Sequence, residues 1–277
     1  MLSYRHAFHA GNFADVFKHI TLTLLLRAIM RKEKPFFYLE THAGAGMYDL
    51  RSDTAKKTAE YVNGIGRLWD CCNAPAEVSD YLSVIRHFNP NGLPHHYPGS
   101  PAITHHLLRP RDRMVLCELH GSEVPHLTTL FKGDRRVQIQ HQDGYKGLAA
   151  YLPPKERRGL VLIDPSYEVK DEYSQVVKAI KEAHRRWASG TYAIWYPLLK
   201  SRGMEPFDSM FQQSSIRKIL RAEMVVDKDA PGMQGSGMII INPPWLLKES
   251  LESLLPWLTS TLGAKDEHCR IDWLVEE

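Results

Sequence analysis

The stretch Phe36-Phe37-Tyr38-Leu39-Glu40-Thr41-His42-Ala43-Gly44-Ala45-Gly46 decides the fold. It runs from continuous apolar residues into a carboxylate and then a glycine-rich turn. An apolar run without alternation is what a strand buried on both faces of a parallel sheet requires. Glycines let the following backbone turn sharply and come close to a ligand. Upstream, residues 15–31 predict a helix, with Phe13, Val16, Phe17, Ile20 and Leu24 on one face and Pro35 as a stop. Downstream, the same strand format recurs at residues 114–118, 137–141, 159–164, 191–196, 221–226 and 238–242. A helix is predicted between two of these, with Val176, Ile180, Ala183 and Trp187 on its apolar face.

Seven strands with helices between them predict a doubly wound, Rossmann-like α/β fold with a seven-stranded, mostly parallel sheet. One interval breaks the rhythm. The distance from Gly46 to the strand at Met114 far exceeds one crossover helix, and residues 54–69 and 76–87 have helical periodicity. The expectation is a single domain over residues 1–277, with a helical insertion over residues 50–108.

Composition narrows the class. A chain of 277 residues with 43% hydrophobic and 10% aromatic content supports a sizeable core, which excludes disorder for most of its length. Four cysteines, two of them the neighbours Cys71 and Cys72, cannot staple a chain this long, so a reducing cytoplasm is expected. The apolar stretch around residues 20–30 is too short to span a bilayer and contains Arg27, so no membrane association is expected. The 35 basic and 32 acidic residues nearly balance, at a formal charge of +3. The pairs His95-His96 and His105-His106 lack cysteine or carboxylate partners at zinc-ligand spacing, and no metal is assigned.

In open α/β sheets, ligands bind beyond the carboxyl ends of the strands. A dinucleotide fingerprint would need a glycine where Asp49 stands, and a ribose-binding acid about 20 residues on. The first strand-end acid after the glycine turn is Glu118, so a nicotinamide-dependent enzyme is disfavoured. Walker A, H-E-x-x-H and G-x-S-x-G patterns are all absent from the chain. S-adenosylmethionine suits the pattern better. Gly44 and Gly46 supply the turn it would need near its methionine part, Glu118 stands where an acid would accept from the ribose, and Asp143 stands where a polar group would meet the adenine.

The fourth strand ends in Asp164-Pro165-Ser166-Tyr167, close to the D-P-P-Y element of enzymes that methylate exocyclic amino nitrogens. The lone pair of adenine N6 is delocalised into the ring, so the nitrogen is a poor nucleophile. The Asp164 carboxylate and the Pro165 carbonyl would each accept one N6 hydrogen, stabilise the positive charge that develops, and leave Asp164 to take the proton. Tyr167 would stack on a base swung out of its helix. Asn242-Pro243-Pro244-Trp245 matches the N-P-P-aromatic form better by letter. Position favours Asp164, which follows the strand expected beside the cofactor strand; residues 242–245 are read as a structural strand exit.

The whole chain resembles the bacterial 23S ribosomal RNA adenine-N6 methyltransferase J family. The resemblance is carried by Leu2-Ser3-Tyr4-Arg5-His6, His9-Ala10-Gly11-Asn12, Asp15, Lys18-His19, Thr41 to Gly46, Tyr97-Pro98-Gly99-Ser100-Pro101, Asp143-Gly144 and Asp164-Pro165, and runs to the exit at Trp245. It implies that His19, His42 and Ser100 line the S-adenosylmethionine site. It further implies that Glu118 holds the ribose, Asp143 with Gly144 the adenine, and that Asp164 is the catalytic acceptor. Tyr4 would contact the target nucleotide, with His6 and Lys18 close by. The departure is Ser166, where the general element has a second proline; serine weakens the rigidity of the turn and leaves both acceptors intact.

Without the resemblance, Tyr4 and His6 belong to a terminus of the kind that usually frays, Lys18 reads as a solvated charge and Ser100 as a helix N-cap. Basic clusters at Arg109/Arg111/Arg113, Arg135/Arg136, Lys155/Arg157/Arg158 and Arg185/Arg186, with Lys56 and Lys57 in the insertion, offer phosphate contacts to RNA. A monomer is expected, because no heptad or exposed apolar stripe calls for a dimer. The alternatives are a DNA adenine-N6 methyltransferase, disfavoured by the lack of a DNA-reading module, and a non-catalytic RNA-binding protein on the same fold.

Overall fold

The computed structural model describes residues 5–169, 171–201, 203–264 and 268–277. The chain enters through a 3-10 turn at His6–Phe8 and helix α1 (Phe13–Met30). The Asn12 side chain accepts from Asp15 N at 2.9 Å and so caps α1. Most of α1 is buried, on all sides but one, which fits its nearly continuous apolar sequence. Strand β1 (Phe37–Glu40) follows. The next segment holds β2 (Met47–Asp49), α2 (Asp53–Thr58), α3 (Ile65–Trp69), α4 (Ala76–His87) and β3 (His96–Pro98), with β2 and β3 forming a separate antiparallel ribbon.

From α5 (Ser100–Leu107) the chain alternates: β4 (Arg113–Glu118), α6 (Val124–Leu130), β5 (Val137–His141), α7 (Gly144–Tyr151), β6 (Gly159–Ile163), α8 (Glu172–Arg186) and β7 (Thr191–Leu199). It ends with α9 (Glu205–Gln212), β8 (Ile219–Val225), β9 (Met233–Ile241), α10 (Leu247–Thr261) and β10 (His268–Val275). The main sheet has the order β10-β8-β9-β7-β6-β1-β4-β5. Strands β5, β4, β1, β6 and β7 pair in parallel, and β9, β8 and β10 join antiparallel.

Strand residues alternate between two cores, one on each face. Phe36, Tyr38, Met114, Leu116, Leu160 and Leu162 meet α1, α6, α10 and the segment between β1 and β4. Phe37, Leu39, Val115, Cys117, Val161 and Ile163 meet α7, α8 and α9. Each strand feeds both layers, which is why its sequence is apolar throughout.

The main sheet therefore has eight strands, one more than the seven expected. The missed strand, β10, is an edge strand that pairs with β8 and mixes exposed with half-buried residues, so it lacks a continuous apolar run. The helix expected over 54–69 is also broken. Ala59 adopts φ +50°, and a Cβ on Gly64 would collide with the backbone of Gly11 and Asn12. Ser100 is the first residue of α5, and Gly99 holds the N-cap position expected for it.

The topology separates the two competing strand exits. Asp164 follows β6, at the carboxyl ends of the parallel strands, where the chain order reverses between β1 and β6. Because β9 is antiparallel, Ile241 lies opposite Tyr192 at the start of β7, so Asn242 sits at the other end of the sheet. There its Nδ2 donates to Ala188 O at 2.7 Å and Gly190 O at 2.8 Å, and its φ is +52°. Asn242→Ala is expected to lower unfolding stability by about 1–3 kcal/mol through the two orphaned carbonyls. Urea unfolding measures this, and an unchanged midpoint would contradict a structural role.

Candidate active site

The carboxyl ends of β1, β4 and β6 and the first turns of α1 and α7 enclose a cavity of about 620 Å³. Its floor is cross-braced by backbone geometry. Gly44 adopts φ +60°, and the Tyr48 hydroxyl fills the place where a Cβ would stand. The same hydroxyl accepts from Ala45 N at 3.2 Å. A Cβ on Gly144 would collide with the Thr41 backbone, so α7 can start against β1 only with glycine there. Glu118 accepts from Gly44 N at 2.6 Å and from His120 N at 2.7 Å. It thereby ties the glycine turn to the end of β4, and each carboxylate oxygen keeps a second lone pair for a ligand. Asp143 accepts from Tyr145 N at 2.8 Å and caps α7.

A buried charge centre forms the wall on the α1 side. Lys18 Nζ lies 2.6 Å from Asp164 Oδ2 and 2.9 Å from Asp15 Oδ1, with its side chain only 4% exposed. Asp15 Oδ2 also meets His6 Nε2 at 2.8 Å and accepts from Gly11 N at 2.9 Å. Burial alone would drive the Lys18 ammonium toward neutrality, but the two carboxylates outweigh it and raise its pKa. Burial likewise opposes ionisation of Asp15, and His6 and Lys18 nevertheless hold that carboxyl well below the usual range. The Lys18 ammonium also stands 5.6 Å from the centre of the Trp195 ring.

Behind this wall, Glu40 ends β1 fully buried. Tyr38 Oη donates to its Oε2 at 2.8 Å, and the Ser100 hydroxyl donates to its Oε1. Burial pushes the Glu40 carboxyl up to about 8, against the pull of the Ser100 and Tyr38 hydroxyls. Burial pushes the His42 imidazole down to about 4 and that of His19 to about 3, although nearby carboxylates oppose it in both cases. His42 Nδ1 meets Thr41 Oγ1 at 2.7 Å, and its ring packs edge-on against Tyr145. His19 Nδ1 meets the Tyr97 hydroxyl at 2.8 Å, and its buried Nε2 has no hydrogen-bond partner among the described residues.

Most residues singled out in the sequence converge here. His6, Lys18, His19, His42 and Gly44 line the cavity. So do Ser100, Glu118, Asp143, Gly144, Asp164, Pro165 and Tyr167. Gly46 stands behind the lining; at φ +77° it packs against Leu127 and Leu130, and its carbonyl accepts from Gly99 N at 3.0 Å. Tyr4 lies outside the described residues. Tyr167 is held by its hydroxyl, which donates to Trp195 O at 2.7 Å, in a left-handed backbone conformation of φ +54° that side-chain-bearing residues rarely adopt.

Three participants escaped the sequence reading as site residues: Asp15, Glu40 and Trp195. Asp15 and Lys18 are three apart on α1, a spacing that pairs side chains, which was the available signal. Nothing local marks Trp195, since its role comes from strand β7 lying beside β6. Among the described residues, no group of three or more His, Cys, Asp or Glu is arranged to hold a metal ion. His105 instead meets Asp134 at 2.8 Å, and His106 packs on His87 with ring centres 4.3 Å apart.

The Glu40 environment sets a pH dependence of stability. In the unfolded chain this carboxyl ionises near 4.5, whereas the folded protein keeps its proton up to about 8. The native state therefore binds the extra proton, and the stability contributed by this group declines as pH rises across that window. Glu40→Gln removes the decline. The unfolding free energy of the wild type minus that of the variant should fall between pH 5 and pH 8 (both about) and then level off. Parallel denaturation curves at each pH measure it, and a constant difference would refute the assignment.

Comparison with known proteins places the chain in a family. The model of the family described as Ribosomal RNA large subunit methyltransferase D, RlmJ, matches residues 33–275. The chain is 47% identical over 280 residues to the Ribosomal RNA large subunit methyltransferase J of Escherichia coli (strain K12), covering 100% of both. It is 48% identical over 281 residues to the protein of the same name from Haemophilus influenzae, again covering 100% of both. The crystal structure of protein LPL1258 from Legionella pneumophila superposes with a TM-score of 0.90 at 42% identity, over 96% of this chain and 98% of that one. The chain belongs to the ribosomal RNA large subunit methyltransferase J family.

Proposed function

We propose that the protein transfers a methyl group from S-adenosylmethionine to the N6 nitrogen of an adenine in 23S ribosomal RNA. The observation that carries this reading is the Asp164-Pro165 turn, which opens into the cavity at the reversal point of the sheet with the glycine turn across from it. Family membership supports it, since relatives spanning the full chain are named large-subunit ribosomal RNA methyltransferases.

The residues present fit the cofactor. Glu118 keeps lone pairs for the ribose hydroxyls, Asp143 and Gly144 stand at the start of α7 for the adenine, and His19, whose buried Nε2 has no partner among the described residues, lines the cavity with Ser100 and His42 for the methionine end. When bound, S-adenosylmethionine supplies an electrophilic methyl group on its sulfonium. The rest of the chemistry belongs to the chain. Lys18 occupies Asp164 Oδ2 and leaves Oδ1 to accept one N6 hydrogen; the Pro165 carbonyl accepts the other. Both acceptors stabilise the positive charge that grows on N6, and Asp164 takes the proton. Tyr167, anchored through Trp195, supplies a wall for the base. That anchor also offsets the stiffness that Ser166 does not supply.

The reading treats residues 50–108 as an insertion in one catalytic domain of residues 1–277, acting as a monomer in the cytoplasm. Helix α2 packs against the 3-10 turn at His6–Phe8, and Lys57 Nζ stands 6.0 Å from the centre of the Phe8 ring. Together with Arg5 at the cavity mouth, Lys56 and Lys57 make a basic rim suited to RNA phosphates. The rim is short, so affinity should be salt-sensitive and RNA shape must help to select the site.

Tritiated S-adenosylmethionine offered with 23S RNA, transfer RNA and duplex DNA tests the function. N6-methyladenosine from 23S RNA is expected; label confined to deoxyadenosine, or absent, sinks the proposal. Asp164→Ala should lower the rate by about 100-fold or more. The double variant Lys56→Glu, Lys57→Glu should raise the KM for RNA about tenfold while cofactor binding is unaltered. An unchanged KM would exclude the rim from RNA contact.

A further inference from the structure

The loops that lead into the parallel strands carry a charge that the whole chain does not. Residues 31–36 precede β1, 108–112 precede β4, 131–136 precede β5 and 152–158 precede β6. Phe37 lies opposite Arg113 and Gly159, and Met114 opposite Val137, so the four loops share one edge of the sheet. It is the edge away from the cavity, about 20 Å off at the rise of a strand as long as β4. Together the loops hold eleven Lys and Arg against four acids, whereas the full chain carries only +3.

Three of the four acids are neutralised within the edge. Arg109 Nε donates to Asp112 Oδ2 at 2.8 Å, Arg113 Nε to Glu156 Oε1 at 2.6 Å, and Arg136 Nη2 to Asp134 Oδ2 at 2.6 Å. The fourth, Glu33, is exposed. Arg158 Nη1 donates to Lys34 O at 2.6 Å, and Arg109 Nη2 donates to the same carbonyl at 3.0 Å. Burial, and then the Arg109 guanidinium beside it, push the Arg158 pKa down. Crowding of like charges in this way lowers the stability of the free protein. Beyond these groups, Lys32, Lys34, Arg111, Arg135, Lys155 and Arg157 are exposed, and none has a carboxylate partner among the described residues. Arg157 also adopts φ +54°, a left-handed conformation that residues with side chains rarely take.

We propose that this edge is a second RNA-binding surface, which holds the phosphate backbone of a part of the RNA remote from the adenine in the cavity. The inference rests on the ribosomal RNA substrate proposed above. Four loops at strand spacings of about 4.8 Å make a row about 15 Å long, which suits a chain of phosphates and not one compact anion. None of the four loops exposes a large apolar side chain that could insert among lipids, which favours RNA over an anionic membrane surface. The cavity end shows why a remote hold is useful. Glu118, Glu123, Asp143 and Asp164 line it, so phosphates near the target meet acids, and the edge supplies attraction that the cavity lacks. A stem-loop of a few base pairs seated in the cavity cannot reach the far edge, whereas a large folded RNA can. The protein therefore favours the large RNA by contacts that never touch the target base.

The variant Lys34→Gln, Arg111→Gln, Lys155→Gln, Arg157→Asn removes four of these charges without breaking an ion pair, and asparagine accepts the left-handed backbone. Its dissociation constant for 23S RNA, measured by filter binding near 0.1 M salt (about), should rise tenfold or more. The slope of log affinity against log salt should shrink by about 2–4. Unaltered S-adenosylhomocysteine binding by calorimetry shows that the cavity is intact. Wild-type RNA affinity and slope in the variant overturn the inference. They do so equally if the variant instead loses binding to phosphatidylglycerol vesicles, which would assign the edge to membranes. In the unaltered protein, acetylation of Lys32, Lys34 and Lys155, read by mass spectrometry, should slow when 23S RNA is added. Unchanged reactivity overturns the inference whether or not the variant folds. Should the edge prove indifferent to RNA while N6-methyladenosine is formed, the inference falls and the proposed function stands.

Discussion

A buried ammonium is tolerated in a protein interior only with counter-charge, and Lys18 is a buried ammonium that needs it. Its position between Asp15 and Asp164 dictates much of the arrangement around it. Helix α1 must lie on the sheet deep enough to deliver Lys18 to the end of β6. The chain before α1 must fold back, so that Gly11 N and His6 can satisfy the second oxygen of Asp15. The same lysine takes one of the two Asp164 oxygens and orients the other. Structural satisfaction of a buried charge and orientation of the Asp164 carboxylate are therefore one constraint.

The parallel half of the sheet was legible because it is apolar on both faces. Val115, Cys117, Leu116 and Met114 read as one run even though they serve two different cores. Strand β10 was illegible for the converse reason: an edge strand with Arg270 exposed and Asp272 half-buried against Arg221 carries no such run. The break at Gly64 was hidden as well. The demand for glycine there comes from the approach of Gly11, distant in sequence, and periodicity does not report distant contacts.

The site divides along similar lines. Residues at strand ends, Glu118, Asp143 and Asp164, could be found because topology places strand ends at ligands. Tyr4, His6, Lys18, His19, His42 and Ser100 came from family likeness. Asp15, Glu40 and Trp195 act through partners far along the chain, so their own neighbourhoods say little. Glu40 shows how deceptive a strand-end acid can be. It precedes the glycine turn, yet both its oxygens are taken by Tyr38 and Ser100, behind the cavity wall.

The contacts that complete the centre also join segments far apart in the chain. His9 and Asn12 meet Glu60, and the Thr58 hydroxyl meets Phe8 O. Ile65 N bonds Gly11 O at 2.9 Å, and Lys18 waits for Asp164, 146 positions later. Closing loops of this length is slow and entropically unfavourable until the intervening strands have paired. During synthesis, a chain that has emerged only through β5 still lacks Asp164, and its lysine has half its counter-charge. The charge centre is therefore completed late, when β6 pairs with β1 and brings Asp164 to Lys18.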